Sequence, residues 1–188
     1  MQLFGSFTSP YVRHIRIVLA RTGQQYEFIE TDYEQSAAQS PACRVPFLQD
    51  GERLLTDSLS IVRYLRERAG QEFFSDVDDF DRFLLVNTAL DACVNVFLFE
   101  RDGIGPDQVP YLKRQQLRID QCLNAIEASV GQAPPGAGGD LAIRLGCFLS
   151  WALFRERLTL SDHRRLALFQ QQFEGDRETA ATHPSKSG

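Results

Sequence analysis

A chain of 188 residues is long enough to fold as one large domain or two small ones around a substantial core. Apolar residues make up 43% and charged residues 24%, ordinary values for a globular protein, and 20 basic against 25 acidic residues leave a net charge of -5. That balance weighs against a nucleic-acid partner, which needs a concentrated basic face.

Cys43, Cys93, Cys122 and Cys147 are far apart, with no CxxC pair and no paired histidines nearby, so neither a zinc site nor a disulfide framework is expected. No signal peptide and no apolar run of membrane-spanning length are expected either. A cytoplasmic protein with reduced thiols and no membrane partner is the reading these features support.

In chain order, "MQLFGS" (1–6) is predicted to be a strand. Pro10 to Arg21 carries Val12, Ile15, Val18 and Leu19 at helical spacing and is closed by Gly23. Gln25 to Thr31 alternates like a second strand, so strand, helix and strand make a right-handed βαβ unit with parallel strands. The polar stretch 32–44 has room for one short helix. "VPFL" (45–48) and "ERLL" (52–55) flank Asp50-Gly51, a hairpin signal, and a helix follows from Asp57 to about Ala69.

After Gly70 the pattern changes. Asp76 to Arg101 is a long helical stretch, apolar around its circumference, which suits the centre of a bundle or half of a subunit interface. Helices are predicted over 109–130, 140–157 and 161–173, with a loop at 131–139 and a loose polar tail from Glu174. The expected division is 1–70, a linker at 71–75, and 76–188. The fold class is an α/β thioredoxin-like domain (βαβαββα) followed by an all-α bundle.

Three short motifs carry chemistry. Ser9-Pro10 is first a helix start, serine being a preferred N-cap and proline favoured just after it. The same place carries positive partial charge and unpaired N–H donors, which stabilise an anion and lower the pKa of a nearby thiol. Val45-Pro46 is either an ordinary edge proline or a cis peptide that turns the Val45 backbone toward an extended ligand. Asp57-Ser58 is a second N-cap, or a pair of groups able to receive a zwitterion. His14, His163 and His183 show no nucleophile or metal spacing.

The segments "TSPYVRHIRIVL" (8–19), "RVPFL" (44–48), "LTDSLSIVRYL" (55–65) and "HRRLALFQQQFEGDRETAATHP" (163–184), in that order, resemble the cytosolic glutathione S-transferase family, bacterial type. The resemblance implies glutathione as cosubstrate, an electrophilic small molecule as second substrate, a homodimer, and no tightly bound cofactor. It implies that Ser9 holds the glutathione sulfur as thiolate, with Thr8 the competitor if the alignment slips by one. Lowering a thiol pKa from about 8.5 to about 6.5 takes roughly 2.7 kcal/mol. A charge-assisted hydrogen bond of about 1.5–3 kcal/mol and a helix dipole adding up to about 1 kcal/mol suffice.

By the same resemblance the proline at 46 is cis, Val45 bonds the cysteinyl part, and Arg44 meets the glycyl carboxylate. Ser58 receives the γ-glutamyl carboxylate and Asp57 its ammonium. Cys43 stands where relatives often carry glycine, which puts a thiol beside the ligand. A capping hydroxyl found in relatives is missing before Asp140, at Ala137. Tyr11, Asp91, Asn95 and Phe99 are candidates for the co-substrate cleft. Two other implications stand beside a transferase: a protein-binding scaffold of the stringent-starvation type, and a glutathione-dependent isomerase.

Overall fold

The computed structural model describes residues 1–132, 136 and 138–186. The chain divides into two compact units, one of 1–75 together with the segment from Glu174, the other Asp76–Phe173.

In the first unit, β1 (Gln2–Gly5), α1 (Pro10–Thr22), β2 (Glu27–Glu30), α2 (Tyr33–Gln39), β3 (Phe47–Asp50), β4 (Arg53–Leu55) and α3 (Ser58–Arg68) follow the predicted thioredoxin-like order. The sheet order is β2-β1-β3-β4; β1 runs parallel to β2 and antiparallel to β3, which pairs antiparallel with β4. Leu3, Val12, Ile15, Val18, Leu48, Ile61 and Leu65 are fully buried, and the Phe4 and Phe47 rings stack at 4.4 Å. The hairpin turns one residue later than expected. Asp50 still pairs with Arg53, so Gly51 and Glu52 form the loop, and Gly51 takes the positive φ of 59° that this tight turn requires.

Helix α1 is not the one-faced amphipathic helix its periodicity suggests. Arg13 and His14 are buried along with Val12, Ile15, Ile17, Val18 and Leu19. The reason lies at the other end of the sequence. The segment from Glu174 is not a loose part of the helical domain. It forms α8 (Arg177–Ala181), packs on α1, and buries Thr179 and Thr182. Polar composition misled because its hydroxyls and carboxylates meet two arginines of α1 instead of water.

The second unit contains α4 (Val77–Arg101), α5 (Pro110–Gln132), α6 (Asp140–Phe154) and most of α7 (Arg164–Gly175). Residues 141–152 of α6 are buried throughout, and Trp151 meets Phe97 edge-on at 5.5 Å. The Glu127 carboxylate accepts from the amides of Arg165 and Leu166 at 3.0 and 2.9 Å, satisfying donors of the first turn of α7. Helix α6 stops before Arg157 because Glu156 takes a φ of 56°. It starts from Gly139 with no side-chain cap. Ala137, and residues 133–135 of the loop expected over 131–139, lie outside the described residues.

Contrary to the expectation from sequence, α4 is long and apolar enough to cross a membrane by length and composition, with a mean hydropathy of 1.5 over 18 residues. In this fold it packs against α5 and α6, and Phe83, Val86, Leu90, Cys93 and Val96 enter the core.

Candidate functional site

Strand pairing brings the candidate residues to one end of the sheet. Phe4 pairs with Phe47, so the exit of β1 toward Ser9 lies beside the entry to β3 from Val45-Pro46. Leu48 pairs with Leu55, so β4 leaves at the same end, toward Asp57 and Ser58. Two helices of more than ten residues, α1 and α3, therefore begin where the 41–46 loop ends. Neither carries an acidic residue in its first turn, whereas α4 carries Asp78 and Asp79. Their aligned amides give that sheet end a positive partial charge.

Ser9 is the N-cap of α1, in extended conformation, and its Oγ accepts from the Val12 amide at 3.4 Å. That long bond uses an oxygen lone pair and leaves the hydroxyl hydrogen available for donation. Capping and anion stabilisation are thus compatible at one side chain. Thr8, the alternative, has its hydroxyl 3.2 Å from that of Ser6. Just before Ser9, the Phe7 ring packs on Phe28 at 4.4 Å with the Arg16 guanidinium over both rings, which braces the loop into α1.

The Val45-Pro46 peptide is cis. Arg44, preceding it, donates to Asp57 Oδ2 at 2.8 Å, while Asp57 Oδ1 accepts from the Leu59 amide at 2.8 Å as the N-cap of α3. The two charges assigned by resemblance to opposite ends of a ligand here meet each other. The pair is well exposed, at 63% and 47%, so it is worth at most about 1 kcal/mol and yields readily to a charged ligand. Ser58 opens α3 and is buried. Cys43 is exposed, with a φ of 50° where glycine would be unstrained.

The cleft candidates are divided between the two units. Tyr11 is half-buried in the first turn of α1, in the first unit. Asp91, Asn95 and Phe99 are in α4 of the second unit, aligned by their four-residue spacing. Phe99 is 40% exposed, and Asp91 accepts from Asn87 at 3.1 Å. Among the described residues no group of three or more His, Cys, Asp or Glu side chains is arranged to hold a metal.

Sequence reasoning missed Arg13, Glu174, Thr179 and Thr182. The available signal was an arginine inside the apolar run of α1, which needs a partner if that helix is covered on all sides.

Residues 3–73 match the family of the glutathione S-transferase N-terminal domain. A probable glutathione S-transferase of Oryza sativa subsp. japonica, GSTF2, is 32% identical over 85 residues, 42% of this chain; the matched stretch spans 40% of that protein. A glutathione S-transferase from Methylobacillus flagellatus KT, with glutathione bound, superposes with a TM-score of 0.83 at 23% identity, over 97% of this chain and 98% of its own. One from Methylobacterium radiotolerans, in complex with glutathione sulfonate, gives 0.83 at 22%, over 97% and 94%. Maleyl pyruvate isomerase, a bacterial glutathione S-transferase in the Zeta class, gives 0.80 at 17%, over 100% of both chains. Residues 3–73 thus match the glutathione S-transferase N-terminal domain in sequence, and the chain shares the fold of solved glutathione S-transferases over 97% of its length.

Proposed function

We propose that the chain is a glutathione transferase that holds glutathione at this end of the sheet and directs its thiolate at a soft electrophile. The observation that carries the reading is the meeting of the α1 and α3 N-termini at one sheet end, one capped by a hydroxyl and the other by an exchangeable ion pair. Ser9 donates its hydroxyl hydrogen to the sulfur, and the first-turn amides of α1 add their field. Val45 pairs its backbone with the cysteinyl peptide. Arg44 leaves Asp57 for the glycyl carboxylate, which it meets bidentately. Asp57 then takes the γ-glutamyl ammonium, while Ser58 and the α3 amides take the neighbouring carboxylate. Tyr11, Asp91, Asn95 and Phe99 are assigned to the electrophile, and the working form is a cytoplasmic homodimer. Light scattering tests the dimer.

Glutathione at about 100 times its dissociation constant is expected to add roughly 2.7 kcal/mol of stability, read as a rise in Tm. Absence of any shift favours the protein-binding scaffold instead. With 1-chloro-2,4-dinitrobenzene as electrophile, Ser9→Ala is expected to lower kcat/KM about tenfold or more and to move the thiol pKa of the pH profile upward. Unchanged turnover removes Ser9 from its role. The Zeta-class neighbour favours one second reading, a glutathione-dependent isomerase. Turnover of a cis-configured maleyl substrate without conjugation would select it.

A further inference from the structure

We infer that the C-terminal segment 174–184 is a positioning element for the glutathione site: through buried Arg13 it fixes the first turn of α1 and with it Ser9. The inference rests on the role of Ser9 proposed above.

Arg13 belongs to the turn that Ser9 caps, its amide donating to the Ser9 carbonyl at 2.9 Å. Its side chain is 2% exposed and points into the tail. There Nη2 donates to both Glu174 oxygens at 3.0 and 3.1 Å and to the Thr179 carbonyl at 2.7 Å, while Nε donates to Thr182 Oγ1 at 3.2 Å. A guanidinium withdrawn from water cannot give up such partners cheaply, so the first turn of α1 and the tail are bound to move together.

Two turns further on, Arg21 donates to Glu178 at 3.1 Å and stands 3.6 Å from Asp176. The ties are eight residues apart, about 12 Å along the helix, and so fix its rotation as well as its height. The tail is itself ordered. Asp176 Oδ1 accepts from the Glu178 and Thr179 amides, Thr182 Oγ1 donates to carbonyls of the same turn, and Pro184 is buried. A hydroxyl that must lie within hydrogen-bond reach of a sulfur depends on this placement, because such bonds weaken steeply with misalignment.

The test uses the full chain with Glu174→Gln, a partly exposed and nearly isosteric change, and Glu174→Asp as the conservative variant. In the unliganded protein, amide exchange over 10–15 is expected to speed up about tenfold in Glu174→Gln while exchange over 58–65 changes less than about twofold. In turnover, KM for glutathione should rise about threefold or more and the thiol pKa should increase, with KM for chlorodinitrobenzene unchanged and partial recovery in Glu174→Asp. Equal acceleration in both segments, or in neither, overturns the inference. So does faster exchange over 10–15 with an unaltered glutathione KM and pH profile. Wild-type protein that neither binds nor turns over glutathione overturns the reading of the site, and this inference with it, whatever the exchange shows; the wild-type assay thus separates the two failures.

Discussion

Cys43 stands at the most informative single position for testing the site chemically. Of the cysteines, it is the exposed one, while Cys93, Cys122 and Cys147 are buried. Burial pushes the Cys93 thiol up to about 12, against a smaller lowering by Arg157, and raises Cys122 as well. Only the thiolate reacts, so a disulfide reagent at neutral pH is expected to label one thiol per native chain quickly and the buried three only on unfolding. Cys43 precedes Arg44, the residue proposed to hold the glycyl carboxylate, so saturating S-methylglutathione should slow that labelling. Mass spectrometry of the labelled peptide reads both effects. Rapid modification of more than one thiol would contradict the burial, and unprotected Cys43 would count against the proposed pose.

Among the elements, β3 and α3 are joined by Asp50, which accepts from the Tyr64 hydroxyl at 2.6 Å and from Arg68 at 2.7 Å. The Tyr64 hydrogen bond, then the Arg68 charge, hold its carboxyl below the usual value near 3.8, against a partial rise from burial. A depressed carboxyl pKa adds stability that is fully present above the unfolded value and lost as pH falls through the folded one. Tyr64→Phe should therefore flatten the loss of stability below about pH 4 and lower Tm at neutral pH by roughly 2–4 °C, the shift that about 1 kcal/mol makes at this size. Thermal melts across that range decide it. Neither Asp50 nor Tyr64 declares this link in sequence, because it depends on strand register meeting a helix face. The elements themselves were legible wherever local chemistry sets them: Ser9-Pro10 and Asp57-Ser58 start helices, and Gly23 ends one in the left-handed region at a φ of 64°. The candidate site was legible because Ser9, Asp57 and Ser58 lie at such starts and a proline marks Val45-Pro46. The clamp on α1 was not, since Arg13 and Thr182 are 169 residues apart and each reads locally as an ordinary polar residue.

For the whole molecule the consequence is one of connectivity. The second unit is inserted into the first, leaving it at Ser75 and returning at Glu174, and α7 runs through the return point. Adjacent residues of that helix serve different cores: Phe173 lies against Gly146 of α6, and Glu174 holds Arg13. Loss of α7 therefore removes a partner from a buried guanidinium in the first unit, while loss of the first unit frees the end of α7. The sole tryptophan, Trp151, is buried in the second unit and reports on it alone, whereas far-UV circular dichroism reports on both. Urea transitions followed by the two signals are expected to coincide in the wild-type chain, as a two-state process requires. In Glu174→Gln they should separate, the tryptophan signal persisting to higher urea because the first unit has lost its tie. Separate transitions already present in the wild type would show that the returning helix transmits no stability between the units.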